Sequence, residues 1–152
     1  MERISINEAI SSGEWFQCDN VKDFSDNAFT MKLKLLSIRE VQLEEIGDID
    51  RVDNSIPLRN GILLILSMEL INFSKVQQYS YMPSFALIDQ DNFEFDTLID
   101  GYLVHYSELA KRYNLYLQLM PKLKYKVDFL FMVPVEDTQY FIGAKFGTIK
   151  RI

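Results

Sequence analysis

Between Leu123 and Val133 every second residue is apolar. Leu123, Tyr125, Val127, Phe129, Phe131 and Val133 fall on one side, Lys122, Lys124, Lys126 and Asp128 fall on the other, and Pro134 closes the run. A period of two is the signature of a β-strand with one buried face, because successive side chains point to opposite sides of a pleated backbone. A helix would scatter the same residues around its circumference. The chain therefore needs partner strands beside this segment and a second apolar layer facing it.

Other segments supply both. Phe29, Met31, Leu33 and Leu35 alternate with Thr30, Lys32 and Lys34, and the apolar phase then shifts to Leu36 and Ile38, which predicts a bulge or twist. Ile62 to Leu66 is apolar on both sides and is expected to form the most buried strand, with Ser67 and Glu69 then alternating against Met68 and Leu70. Asn72-Phe73-Ser74 ends it in turn chemistry. Phe85 to Ile88 and Phe93 to Phe95 flank Asp89-Gln90-Asp91-Asn92, the pattern of a hairpin. Tyr113, Leu115, Leu117 and Leu119 suggest a further strand, as do Tyr140, Ile142, Ala144 and Phe146. Near the start, Ser5 and Glu8 have the spacing of a helix capping box, Ile6 and Ile10 share a face, and Gly13 can end the helix; a β-edge segment running into Trp15-Phe16 is the alternative. Glu40 to Asn60 reads as an acidic connecting loop, with Glu44, Glu45, Asp48, Asp50 and Asp53, and residues 98–112 show no clear period.

About six to eight short strands without alternating helices exclude a parallel α/β sheet and suit a sandwich or a barrel. At 152 residues the chain matches one domain. The expected division is an N-terminal extension over 1–28 packing on a β-sandwich over 29–152.

The chain carries 22 acidic against 16 basic residues, a net charge of -6. That balance gives nucleic-acid binding little electrostatic support and disfavours an anionic membrane surface. No run approaches the roughly 18 apolar residues of a membrane span. Met1-Glu2-Arg3 leads into no hydrophobic signal region, so the compartment stays open between the cell interior and export with a signal already removed. Cys18 is the one cysteine and is expected to be a small buried hydrophobe.

Three pieces resemble a bacterial immunoglobulin-like domain family of unknown function, whose members are often surface lipoproteins or exported proteins and whose fold is similar to that of a mycobacterial immunoprotective extracellular antigen. They are the strand ending in Asn and Ser, Leu66 to Ser74; the apolar strand turning at acidic residues into an aromatic one, Phe85 to Phe95; and the strand closing on Val-Pro, Val127 to Pro134. The resemblance spans about half of the chain, from Gly61 to Phe146. It departs at two places, with Asn92 where the family often has Gly and Pro121-Lys122 where it has Pro-Gly. It implies an all-β, immunoglobulin-like antiparallel sandwich with an exported or cell-surface location, and brings no catalytic residues.

Chemistry is sparse. His105 is the one histidine, so a multi-histidine metal site cannot form and a Ser-His-Asp triad would hinge on it alone; a Gly-x-Ser-x-Gly elbow is absent. Asp89, Asp91 and Asn92 faintly suggest a calcium loop but lack its Gly and its distal bidentate Glu, and turn geometry explains them more simply. No cofactor, metal or catalytic residue is expected. The expected role is a non-enzymatic module that binds another protein through loops or an edge strand, with a second copy of the chain also open as a partner. Tyr79, Tyr81, Tyr102, His105 and Tyr106 are the candidate contact residues, since tyrosine couples broad apolar area to a hydroxyl. A small-ligand carrier, with its pocket between the sheets or under residues 98–112, is the alternative. Lys122, Lys124 and Lys126 fit edge protection against strand pairing, or an acidic partner.

Overall fold

Gly61–Asn72 is the strand on which the rest is assembled, and it is buried on both faces from Leu63 to Ser67. The structure is a computed structural model that describes residues 3–22, 28–42, 61–80, 85–95, 105–107, 112–114, 117–144 and 148–152. In chain order the elements are β1 (Arg3–Ser5), α1 (Ile6–Ser12), β2 (Trp15–Lys22), β3 (Ala28–Val41), β4 (Gly61–Asn72), β5 (Gln78–Ser80), β6 (Phe85–Ile88) and β7 (Glu94–Phe95). They continue with β8 (His105–Ser107), β9 (Arg112–Asn114), β10 (Leu117–Leu119), β11 (Lys124–Pro134), β12 (Phe141–Ala144) and β13 (Thr148–Arg151).

These strands form an all-β sandwich. One sheet has five strands in the order β11-β4-β3-β2-β13, the other has four in the order β1-β12-β6-β7, and every pairing in both is antiparallel. Two further ribbons, β5–β10 and β8–β9, are paired only within themselves. The first 22 residues supply the β1 edge of one sheet and the interior strand β2 of the other, with α1 between them. Arg3 fastens β1 further: its guanidinium stacks 4.2 Å over the Phe141 ring and donates to Asn92 Oδ1 at 2.6 Å, at the tip of the β6–β7 hairpin.

The alternation read in the sequence becomes the core. Phe129, Phe131 and Val133 are each 1% exposed and face Leu66, Leu64 and Ile62 across the β11–β4 ladder. Phe16, Met31, Leu33, Leu35, Met68 and Leu70 continue the same inner face. Phe85 of the four-stranded sheet meets Phe129 of the five-stranded one edge-on, with ring centroids 5.9 Å apart. Ile6 and Ala9 of α1 close one end of this layer. The phase shift after Leu35 is a register shift between Leu35 and Ser37, so that Ile38 returns to the inner face opposite Leu66. Beyond it Val41, Leu63, Ile65 and Leu130 are buried on the outer face of the five-stranded sheet, which explains why β4 reads as apolar on both sides.

α1 starts and stops as its sequence dictates. Ser5 Oγ accepts from the Glu8 amide at 3.4 Å, and Gly13 adopts φ 64° while its amide donates to the Ala9 carbonyl. A side chain there would find room, since a Cβ would lie 3.8 Å from Lys34, so the demand for glycine is conformational.

Candidate functional site

The predicted contact residues divide by position. Tyr81 and Tyr102 lie outside the described residues. Tyr79 stands in β5 opposite Gln118, and His105 and Tyr106 stand in β8 opposite Asn114 and Tyr113. The backbone thus brings Tyr106 and Tyr113 to directly facing positions on one ribbon, with His105 beside them. That ribbon lies next to β11, the long outer strand of the five-stranded sheet. Tyr79 belongs to the other ribbon.

The solvent face of the five-stranded sheet has its own character. Lys150, Gln17, Lys32, Ile71 and Lys124 form one row across it, and Trp15, Lys34, Glu69 and Lys126 form the next. Two ammonium groups sit over aromatic rings, Lys32 at 3.7 Å from the Phe73 centroid and Lys124 at 5.6 Å from that of Trp15. Asp19 is engaged locally: it accepts from Gln17 at 2.9 Å and Thr30 at 3.2 Å and lies 3.5 Å from Lys150. The Gln17 hydrogen bond does most to hold its carboxyl below the usual carboxylate range; burial opposes it, and the Thr30 hydrogen bond and the Lys150 charge add to the lowering. Asp128 accepts from Ser67.

At the end of this sheet where β4 stops, Phe73, Val76, Met120 and Leu123 are 44%, 61%, 45% and 55% exposed. Leu123, read in the sequence as part of the buried face of β11, falls before the strand begins and projects to solvent. Asn72 is fully buried beneath this end and satisfies its whole amide there. Nδ2 donates to the carbonyls of Val76 and Leu119, each at 2.9 Å, and Oδ1 accepts from the Ser74 amide at 2.8 Å. The Asn and Ser that end β4 are therefore a fastening for two turns.

At the other end a cleft of about 210 Å³ opens between the sheets, lined by Ile6 and Asn7 of α1, Ile38, Arg39 and Glu40 of β3, Leu64, Thr138 and Tyr140. The Tyr140 phenol is pushed up by burial, then by Glu136 and Asp89.

The thiol and the acidic hairpin have structural explanations. Cys18 is 1% exposed on the inner face, and burial, with Asp19 beside it, pushes its pKa up to about 12. A thiol held protonated in apolar surroundings is a poor nucleophile. Asp89 is 3% exposed, and its Oδ1 accepts from the amides of Asp91 and Phe93, each at 2.9 Å. Among the described residues no group of three or more His, Cys, Asp or Glu side chains converges as a metal site would require. Among them, too, no helix is long and apolar enough to cross a membrane.

No family model matches the chain, and no curated protein does. Among solved structures, the 2.2 Å crystal structure of a conserved hypothetical protein from Bacillus anthracis is similar, with a TM-score of 0.51, 13% identity, and coverage of 91% of this chain and 97% of that one. At that identity the likeness concerns the fold alone.

Proposed function

We propose that the chain is a non-catalytic interaction module that binds another protein, built as an immunoglobulin-like sandwich of the bacterial family that its sequence resembles. The observation that carries this reading is the β8–β9 ribbon, which stands outside both main sheets and sets Tyr106 opposite Tyr113 next to His105, along the outer side of β11. A short ribbon beside a long outer strand offers backbone for strand addition and aromatic positions for anchoring. The buried, protonated Cys18 and the amide-bound Asp89 support a role without chemistry.

The family resemblance gains support from its own departures. Among the described residues, the non-glycine positions with positive φ are Asn92 at 68° and Lys122 at 65°, the two places where the family carries glycine. The backbone asks for the family's residue at both.

Among the described residues, the cleft beside Tyr140 is a place that a ligand carrier could use, while the alternative under residues 98–112 falls mostly outside them. The cleft has a volume of about 210 Å³, below the roughly 300–1,000 Å³ of pockets that enclose small molecules, which speaks against a carrier that uses it. The reading is tested by affinity capture from extract of the source cells, comparing the native chain with a Tyr106→Ser, Tyr113→Ser variant and reading both by quantitative mass spectrometry. A protein enriched on the native chain and lost on the variant is the expected result. Identical captured sets would end the ribbon's role as the contact surface.

A further inference from the structure

The corner where β4 runs out combines two properties that proteins ordinarily keep apart on an unpartnered surface. Its apolar tips, Phe73, Val76, Met120 and Leu123, are brought together by Asn72, which holds the Val76 and Leu119 carbonyls with its side chain and accepts the Lys122 amide at 3.0 Å with its own carbonyl. Around these tips stand Lys32, above the Phe73 ring, and Lys75 and Lys122 in the two turns, while Lys124 starts β11 opposite Ile71 with its ammonium 5.6 Å from the Trp15 centroid. None of these lysines has an ion-pair partner among the described residues. Among the described carboxylates of the strand rows, Glu69 lies one row further from the corner, and Asp19, which accepts from Thr30, lies 3.5 Å from Lys150.

We propose that this corner docks the domain onto the surface of an anionic lipid bilayer. The four apolar tips enter the headgroup region and the lysines meet lipid phosphates and carboxylates. Charge complementarity selects this occupant. Protein interfaces share the enrichment in Phe and Met but are depleted in lysine, so it is the lysine rim that distinguishes this surface. This surface sets lysines beside one aromatic and three aliphatic tips on two turns, the composition of an interfacial membrane contact. The net charge of -6 disfavours an anionic surface for the chain as a whole, but salt screens exposed charges beyond about 10 Å, so a bilayer touching the corner meets its local field. The surface is distinct from the β8–β9 ribbon, so either proposal can fail without the other.

The test is co-sedimentation of the whole chain with vesicles of phosphatidylcholine alone and of phosphatidylcholine containing about a third phosphatidylserine. Binding is expected only to the second and is expected to weaken with added salt. Each lysine removed should lower the partition coefficient about five-fold, so Lys122→Glu with Lys124→Glu should abolish binding. A Leu123→Trp variant should show a blue-shifted emission on phosphatidylserine vesicles compared with the native chain, reporting entry of that tip. Thermal melts verify that the variants are folded, and the comparison of the two vesicle types with the native chain stands without any variant. Absence of binding to phosphatidylserine vesicles at low salt overturns the proposal, as does binding indifferent to the lysine reversals. A concentration-dependent dimer lost on Leu123→Ser would give the corner to a second copy and would overturn it equally.

Discussion

Lys122 shows how far a single residue can be read from sequence. Its position after Pro121 marks a turn, but nothing in the residue itself announces a left-handed backbone, which lysine adopts at a cost of roughly 1 kcal/mol. Lys122→Gly is therefore expected to raise stability by about 0.5–1 kcal/mol in urea denaturation, the relief of strain being partly offset by the freer unfolded chain. A loss of stability would show that the lysine side chain holds something the backbone does not reveal. Asn92→Gly is expected to gain less, since Asn tolerates this conformation and its Oδ1 accepts from Arg3. Residues whose roles are local were legible: Ser5 as a cap, Gly13 as a stop, Asp89 as a turn former. Residues whose roles depend on distant chain were not. Nothing local says that Phe73 and Leu123 end up exposed at one corner, because the contact that gathers them, Asn72 with Leu119, spans 47 positions.

At the scale of elements, period and punctuation carried most of the information. β3, β11 and β12 follow their apolar alternation, β4 and β6 follow their continuous apolar runs, and the bulge after Leu35 sits where the phase changes. Of the two ribbons, β5 and β8 escaped because three-residue strands are too short to display a period, while the strand expected at Tyr113 to Leu119 is met by two short ones, β9 and β10. β2 was also obscure, since Trp15, Cys18 and Val21 do not alternate cleanly and the ladder slips between Cys18 and Val21. The helix is the element most open to a decisive substitution. Ser5 Oγ both accepts from the Glu8 amide and receives Gln139 Nε2 at 2.8 Å, so it joins the start of α1 to the segment before β12. Ser5→Ala is expected to lower stability by about 1 kcal/mol, measured by denaturant unfolding. It should also speed hydrogen exchange at the Glu8 amide, whereas an unchanged exchange rate there would remove Ser5 from the cap.

Over the described residues, the sandwich is stabilised by a continuous apolar layer between two sheets, and the ionisable thiol of Cys18 is sealed inside it. The Cys18 thiol ionises near pH 9.0 in an open chain and near 12 in the fold. A raised folded value means that the unfolded state loses its proton first, so this contribution is complete below pH 9 and declines as pH climbs toward 12. Stability is expected to fall in that window by roughly 1.4 kcal/mol per pH unit from this group, and Cys18→Ala should flatten the slope. In the native state the thiol should resist alkylation at neutral pH and react fully once urea unfolds the chain. The opposite ends of β4 have one more consequence. Leu64 borders the cleft and Asn72 anchors the lysine-rimmed corner, eight residues apart along a rigid strand, a rise of about 26 Å. A domain standing on that corner would carry the mouth beside Tyr140 like a lamp on a post, more than two screening lengths above the lipid phosphates. Whatever enters there would be chosen by the walls of the opening alone, indifferent to the charge of the ground below.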